Sequence, residues 1–159
     1  MSLITPLLSA TLDPFDPKLI LMPKHAQHVV LIHFPIALFL TAVVFDFIAQ
    51  NTRRQPLANA AYYNFLLAAV SLVPVLVTGV LAWQIQFPGQ EIKGLLLLHL
   101  AFACFASLMI LLTCLLHVRM RARRGPLPPY RFAIESIAVA AIVLTAHLGG
   151  FLSGVNHPG

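Results

Sequence analysis

Residues 28–49, HVVLIHFPIALFLTAVVFDFIA, decide how the rest of the chain is read. The stretch is dominated by apolar side chains, and about 20 such residues are enough to carry a helix across a bilayer. Inside its first end sits His33, followed at once by Phe34 and Pro35. An imidazole in hydrocarbon is costly, and such a group generally faces a partner, a water-filled cavity or a cofactor. The question is therefore whether other segments bring a second ligand to the same depth.

Working outward, the remaining sequence supplies three more apolar runs. Of the 159 residues, 59% are hydrophobic and only 9% charged, whereas about a quarter of the residues in a soluble domain are charged. The expected fold is an all-α membrane protein, an antiparallel bundle of four transmembrane helices at about 29–49, 60–83, 95–117 and 132–155. Helices satisfy their backbone groups within the segment, as lipid demands, and short links between them imply an up-down-up-down order. Tyr62, Tyr63 and Trp83 stand at the ends of the second run, where interfacial aromatics belong, and Pro74 inside it predicts a kink.

Residues 1–27 read differently. Pro6, Pro14, Pro17 and Pro23 interrupt any long helix and no charged leader opens the segment, so it is expected to be an extended or short-helical periplasmic surface segment rather than a cleaved signal. The chain then divides into that segment, 1–27, and a four-helix domain, 28–159.

A net charge of +5 raises the possibility of nucleic acid. The basic residues do not line a polar face with interleaved aromatics, which argues against it. They gather in links instead. Arg53, Arg54, Arg119, Arg121, Arg123, Arg124 and Arg131 follow the first and third runs, seven against Lys18, Lys24 and Lys93 on the other side. Lysine and arginine mark the cytoplasmic side, which predicts both termini in the periplasm and a multi-pass protein of the bacterial inner membrane. Cys104 and Cys114 share one run. On a helix they are about 15 Å apart, too far for a disulfide, and both are expected to be small core residues. No CxxCH motif is present, which excludes covalent c-type haem attachment.

This orientation makes the histidines informative. His33 lies near the outer end of the first span, His99 near the start of the third, and His147 eight residues before the end of the fourth. At 1.5 Å per residue these positions are about 6–8 Å below the outer helix ends for the first two and about 12 Å for the third. Small residues accompany them: Ala103, Ala106 and Ser107 near His99, and Ala140, Gly150 and Gly154 near His147. Two neutral imidazoles facing each other across a bundle suit the axial positions of a b-type haem, with Lys24 and Lys93 placed to meet its propionates. Three converging imidazoles suit zinc or copper. The third reading is that each ring simply hydrogen-bonds to a carbonyl or side chain. His28, five residues before His33, lies about 140° around the helix from it and is a candidate for a second haem or a propionate contact. His25 and His157 are expected in solvent, and His117 at a helix end facing free carbonyls. Asp46, near the inner end of the first span, has Arg53, Arg54 or Arg131 as its expected partner, and Glu135 lies at the same level.

The run from His28 through His33–Leu38, the Gly79–Trp83 stretch, His99, and the HLGG of His147–Gly150 resemble a family of small four-helix bacterial membrane proteins, the domain-of-unknown-function family 2231. The resemblance covers about residues 28–157, and its HFPIAL motif is the most specific part. Ala82 stands where the family often has Asp, and Phe151 where some members carry a polar residue or histidine. The resemblance implies a place beside electron-transfer proteins and haem binding in some members.

Together these readings lead to a membrane-embedded b-type cytochrome subunit of a respiratory or photosynthetic complex, carrying one haem b and room for a second. His33 and His99 are its first ligand pair, with His147 and His28 next. Its expected partners are other membrane subunits and a periplasmic c-type cytochrome or quinol. A cofactor-free structural or assembly subunit is the alternative, and a three-histidine zinc or copper site is the third possibility. No Ser/His/Asp, paired-carboxylate or phosphate-cradling motif suggests that the chain performs acid–base or nucleophilic catalysis of its own.

Overall fold

The structure is a computed structural model that describes residues 26–86, 89, 91–123 and 125–154. The surface segment expected at 1–27 falls almost wholly outside these residues, as do His25, His157, Lys24 and both termini. Five helices make up the described chain: α1 (Ala26–Leu31), α2 (His33–Thr52), α3 (Gln55–Gln86), α4 (Gly94–Ala122) and α5 (Arg131–Leu152). There are four segments long and apolar enough to cross a membrane: Gln27–Thr52, Gln55–Ile85, Gly94–Ala122 and Arg131–Leu152.

Local chemistry explains the boundaries. The first span is broken at Ile32, between α1 and α2. Pro35 has no N–H to offer the carbonyl of Leu31, and its ring crowds that carbonyl, so the ladder slips there. At the far end, α2 stops on Arg53 in the left-handed conformation, φ 54°. Pro56, one residue inside α3, costs nothing because the first turn of a helix leaves its N–H groups unpaired anyway. The expected kink at Pro74 does not divide α3, which is continuous across it. α5 ends at Leu152, three residues short of the expected boundary.

The packing is inverted relative to a soluble protein. Val44, Phe47, Val70, Val73, Leu108 and Leu115 face outward, while Asp46, Thr113, His117, Arg131 and Glu135 are buried. Hydrocarbon accepts the outward set, and polar groups must turn inward to find partners. Between the helices lie small residues, among them Ala42, Ala61, Ala68, Ala106, Ala138 and Ala141, which let backbones approach closely. Phe39 and Phe65 fill the centre edge to face, with ring centroids 5.3 Å apart. Cys114 is buried as expected, but Cys104 faces outward.

Packing is uneven around the bundle. α2 lies along α3 and α4 along α5, α3 joins the two pairs, and α2 and α5 touch over a short stretch only. α2 and α4 make little direct contact, as diagonal partners do. At one end the start of α1 meets the late part of α3, and the start of α4 meets the late part of α5. At the other end the close of α2 and of α4 meets the beginning of α5.

Candidate functional site

Two polar layers interrupt the apolar bundle, one near each end. The first is made of histidines. His28, on α1, donates its Nδ1–H to Thr78 Oγ1 at 3.3 Å. That hydroxyl spends its own proton on the Pro74 carbonyl at 2.8 Å, so it is an acceptor for the ring. His99, on α4, donates Nδ1–H to the Thr145 carbonyl of α5 at 3.1 Å. A carbonyl can only accept, so the neutral imidazole carries its lone pair on Nε2.

Each of these rings rests on a glycine of the neighbouring helix. A Cβ on Gly79 would stand 3.1 Å from His28 Cε1, and one on Gly149 would stand 3.2 Å from His99 Cε1. The absent side chains are what let the imidazoles lie against the opposing backbones. Gly149→Val is accordingly expected to overpack this contact, costing about 1–3 kcal/mol and displacing His99 from Thr145. Thermal unfolding in detergent measures the first effect, and the His99 nitrogen shifts in a labelled sample report the second.

The other two histidine candidates sit differently. His33 is exposed and donates its Nδ1–H to the Val29 carbonyl one turn back, at 2.7 Å. His147 is also on the surface of the bundle, edge-on to Phe151 with centroids 5.0 Å apart. The structure therefore half-buries His28 against α3 and His99 against α5, near the same end of the bundle, while His33 and His147 are exposed. Lys93, expected near a propionate, is paired with Glu91 at the surface. Near the same end, the indole Nε1 of Trp83 is buried with no acceptor among the described residues, one helical turn beyond Gly79.

The second layer is a buried charged group drawn from three helices. Arg131 is 2% exposed, Asp46 3%, His117 4% and Glu135 1%. The Arg131 Nε–H donates to Asp46 Oδ2 at 2.6 Å, and an Nη2–H donates to Gln50 Oε1 at 3.0 Å. Its plane lies over the Phe132 ring, 4.1 Å from the centroid. His117 Nε2–H donates to Glu135 Oε1 at 3.2 Å, with the imidazole against the Phe65 ring at 4.5 Å. Glu135 Oε2 is buried with no hydrogen-bond partner. Asp46 thus finds one of its three expected partners, Arg131. His117 departs from expectation. α4 runs on to Ala122, so the residue is not at a helix end and turns inward to a carboxylate instead of to free carbonyls.

One ligand atom from each of Asp46, His117 and Glu135 falls within 4.8 Å of the others. That donor set has the chemistry of a divalent metal site. Its charge points elsewhere, because Arg131 already neutralises Asp46. Neutrality is what burial in low dielectric favours. The layer is thus best described as one ion pair, Arg131–Asp46, and one hydrogen bond, His117–Glu135, that tie α2 and α4 to α5. A signal for it was present in the sequence. Only Asp46 and Glu135, of five acidic residues, fall inside apolar runs, and Glu135 is one turn from Arg131 on the same helix face.

Among known proteins, residues 24–157 match one family, described as "Predicted membrane protein (DUF2231)". No curated protein and no solved structure matches the chain.

Proposed function

The chain belongs to the DUF2231 family of predicted membrane proteins, and from that premise we propose that it is a b-type cytochrome subunit embedded in the bacterial inner membrane. In this reading the four spans run antiparallel with both termini in the periplasm, and the histidine layer lies in the outer half of the bilayer. The observation that carries it is the hydrogen bonding of His28 and His99. With both Nδ1–H groups held by the protein, both Nε2 atoms are left as ligands, the arrangement in which a second hydrogen bond orients a metal-binding imidazole. The donor chemistry fits haem, whose iron accepts two neutral imidazoles and supplies one-electron transfer when bound.

His28 and His99 are the residues that would hold the haem in this proposal, in place of the His33–His99 pair that the sequence favours. The Trp83 indole supplies an unclaimed donor for a propionate at the same end. His33 and His147, exposed on the single chain, are positioned for a second haem shared with another subunit. Electrons would pass to or from a periplasmic c-type cytochrome or quinol. One observation favours a cofactor-free structural subunit instead: the Arg131–Asp46 and His117–Glu135 contacts at the opposite end already fix helix register without any ligand.

The visible spectrum of the purified full-length chain separates these readings. A Soret band with sharpened α bands on reduction is expected. Protein from haem-replete cells that shows neither leaves the structural subunit standing, and bound zinc or copper without a Soret band points to a histidine metal site.

A further inference from the structure

The end of the bundle that holds the Arg131–Asp46 ion pair also carries an open cleft of about 320 Å³, lined by Asp46, Gln50, Arg53, Arg54, Gln55 and Arg131 among others. At about 30 Å³ per water this is room for roughly ten waters, ample for a phosphodiester and its glycerol. Its charge is lopsided. Three guanidinium groups face one carboxylate, and that carboxylate is already engaged by Arg131 at 2.6 Å. Arg53 and Arg54 are exposed and make no ion pair among the described residues. The first turn of α3, which begins at Gln55 in the cleft wall, contains no acidic residue. The positive end of a 32-residue helix therefore adds to the two uncompensated arginines.

The cleft is formed between the end of α2, the start of α3 and the entry to α5. It lies at the end of the seam between α2 and α5, the two neighbours that touch over only a short stretch. At that seam Phe47 is exposed and meets Phe132 edge-on at 6.0 Å. A basic cleft beside exposed apolar side chains matches a molecule with an anionic phosphate at one end and acyl chains at the other. Basic pockets between transmembrane helices commonly take such headgroups. We propose that this cleft is a binding site for the phosphate of an anionic phospholipid whose chains lie in the α2/α5 seam. Free phosphate shares the headgroup's chemistry but leaves the seam unfilled, which is why the lipid is the favoured source. The site goes beyond the haem reading and does not depend on it, because it occupies the opposite end of the bundle.

Native mass spectrometry of the detergent-purified full-length chain tests the proposal, titrating phosphatidylglycerol, phosphatidylcholine or inorganic phosphate. Phosphatidylglycerol is expected to bind in preference to phosphatidylcholine. The R53Q/R54Q variant is expected to lose affinity for it on the order of 30-fold, taking each interfacial arginine at its usual worth. R119Q/R123Q removes the same charge at the same end but outside the cleft, and is expected to bind as the parent does. Equal binding of the two lipids overturns the proposal. So does an equal loss in both double variants, which would mean a diffuse surface charge, and so does inorganic phosphate displacing the lipid at similar concentration. Both pairs of residues are exposed, and circular dichroism of each variant confirms that the helices are intact.

Discussion

Asp46→Ala is expected to be the most damaging single substitution in this chain, with a loss of about 3–5 kcal/mol. The reason lies with Arg131 rather than with Asp46. Its guanidinium is 2% exposed, and among the described residues Asp46 is the carboxylate in direct salt-bridge contact with it. Removing the carboxylate leaves an uncompensated cation among helices, with Gln50 and two backbone carbonyls as its remaining acceptors. Unfolding of the purified protein in mixed micelles measures the effect. The same mechanism sets a control. Asp46→Ala combined with Arg131→Met removes both charges, and a buried pair replaced by apolar side chains is often neutral or stabilising. Recovery of most of the lost stability in the double variant is therefore expected, and a double variant as unstable as Asp46→Ala alone would rule the mechanism out.

The second large effect concerns the histidine layer. His99→Ala is expected to abolish low-spin haem absorption altogether, and His28→Ala to do the same. Low-spin iron requires a strong ligand on each face, so losing either imidazole leaves high-spin haem or none. His117→Ala is the informative contrast. It removes a buried histidine from the same bundle, and its ring bonds Glu135 at the other end, so the spectrum of the remaining protein is expected to be unchanged. Low-spin haem that survives loss of both His28 and His99 would sink the assignment and return His33 and His147 to consideration.

The contrast between His28 and His33 shows where sequence reading reached its limit. Four spans were visible because each run is apolar over its whole length, and the observed helices begin and end within five residues of the expected positions. The gathering of histidines at one end followed from counting residues along alternating spans. Which of them turn inward did not follow. A membrane helix is apolar around its full circumference, so no periodic stripe marks the buried face as it would in a soluble protein. Depth alone ranks His33 ahead of His28 as a ligand, and both are candidates. The helix is interrupted at Ile32, one turn before Pro35, although the backbone there stays helical, and His28 on its near side is the half-buried ring while His33 on its far side is exposed. The other polar layer was half legible. Asp46 advertised a need for a cation, and Arg131 was among the candidates. The His117–Glu135 contact depended on α4 continuing five residues beyond the apolar run, through Arg119 and Arg121, and hydropathy does not extend a helix into arginines.

The bond between Asp46 and Arg131 spans 85 residues of sequence, and this has a bearing on how the protein is made. Translation at about 5–20 residues per second delivers the arginine about 4–17 s after the aspartate. For that interval the first hairpin carries an unmatched acid, so a nascent chain stalled before its last span remains a ready target for membrane proteases. Only arrival of the fourth span brings the cation that neutralises the first.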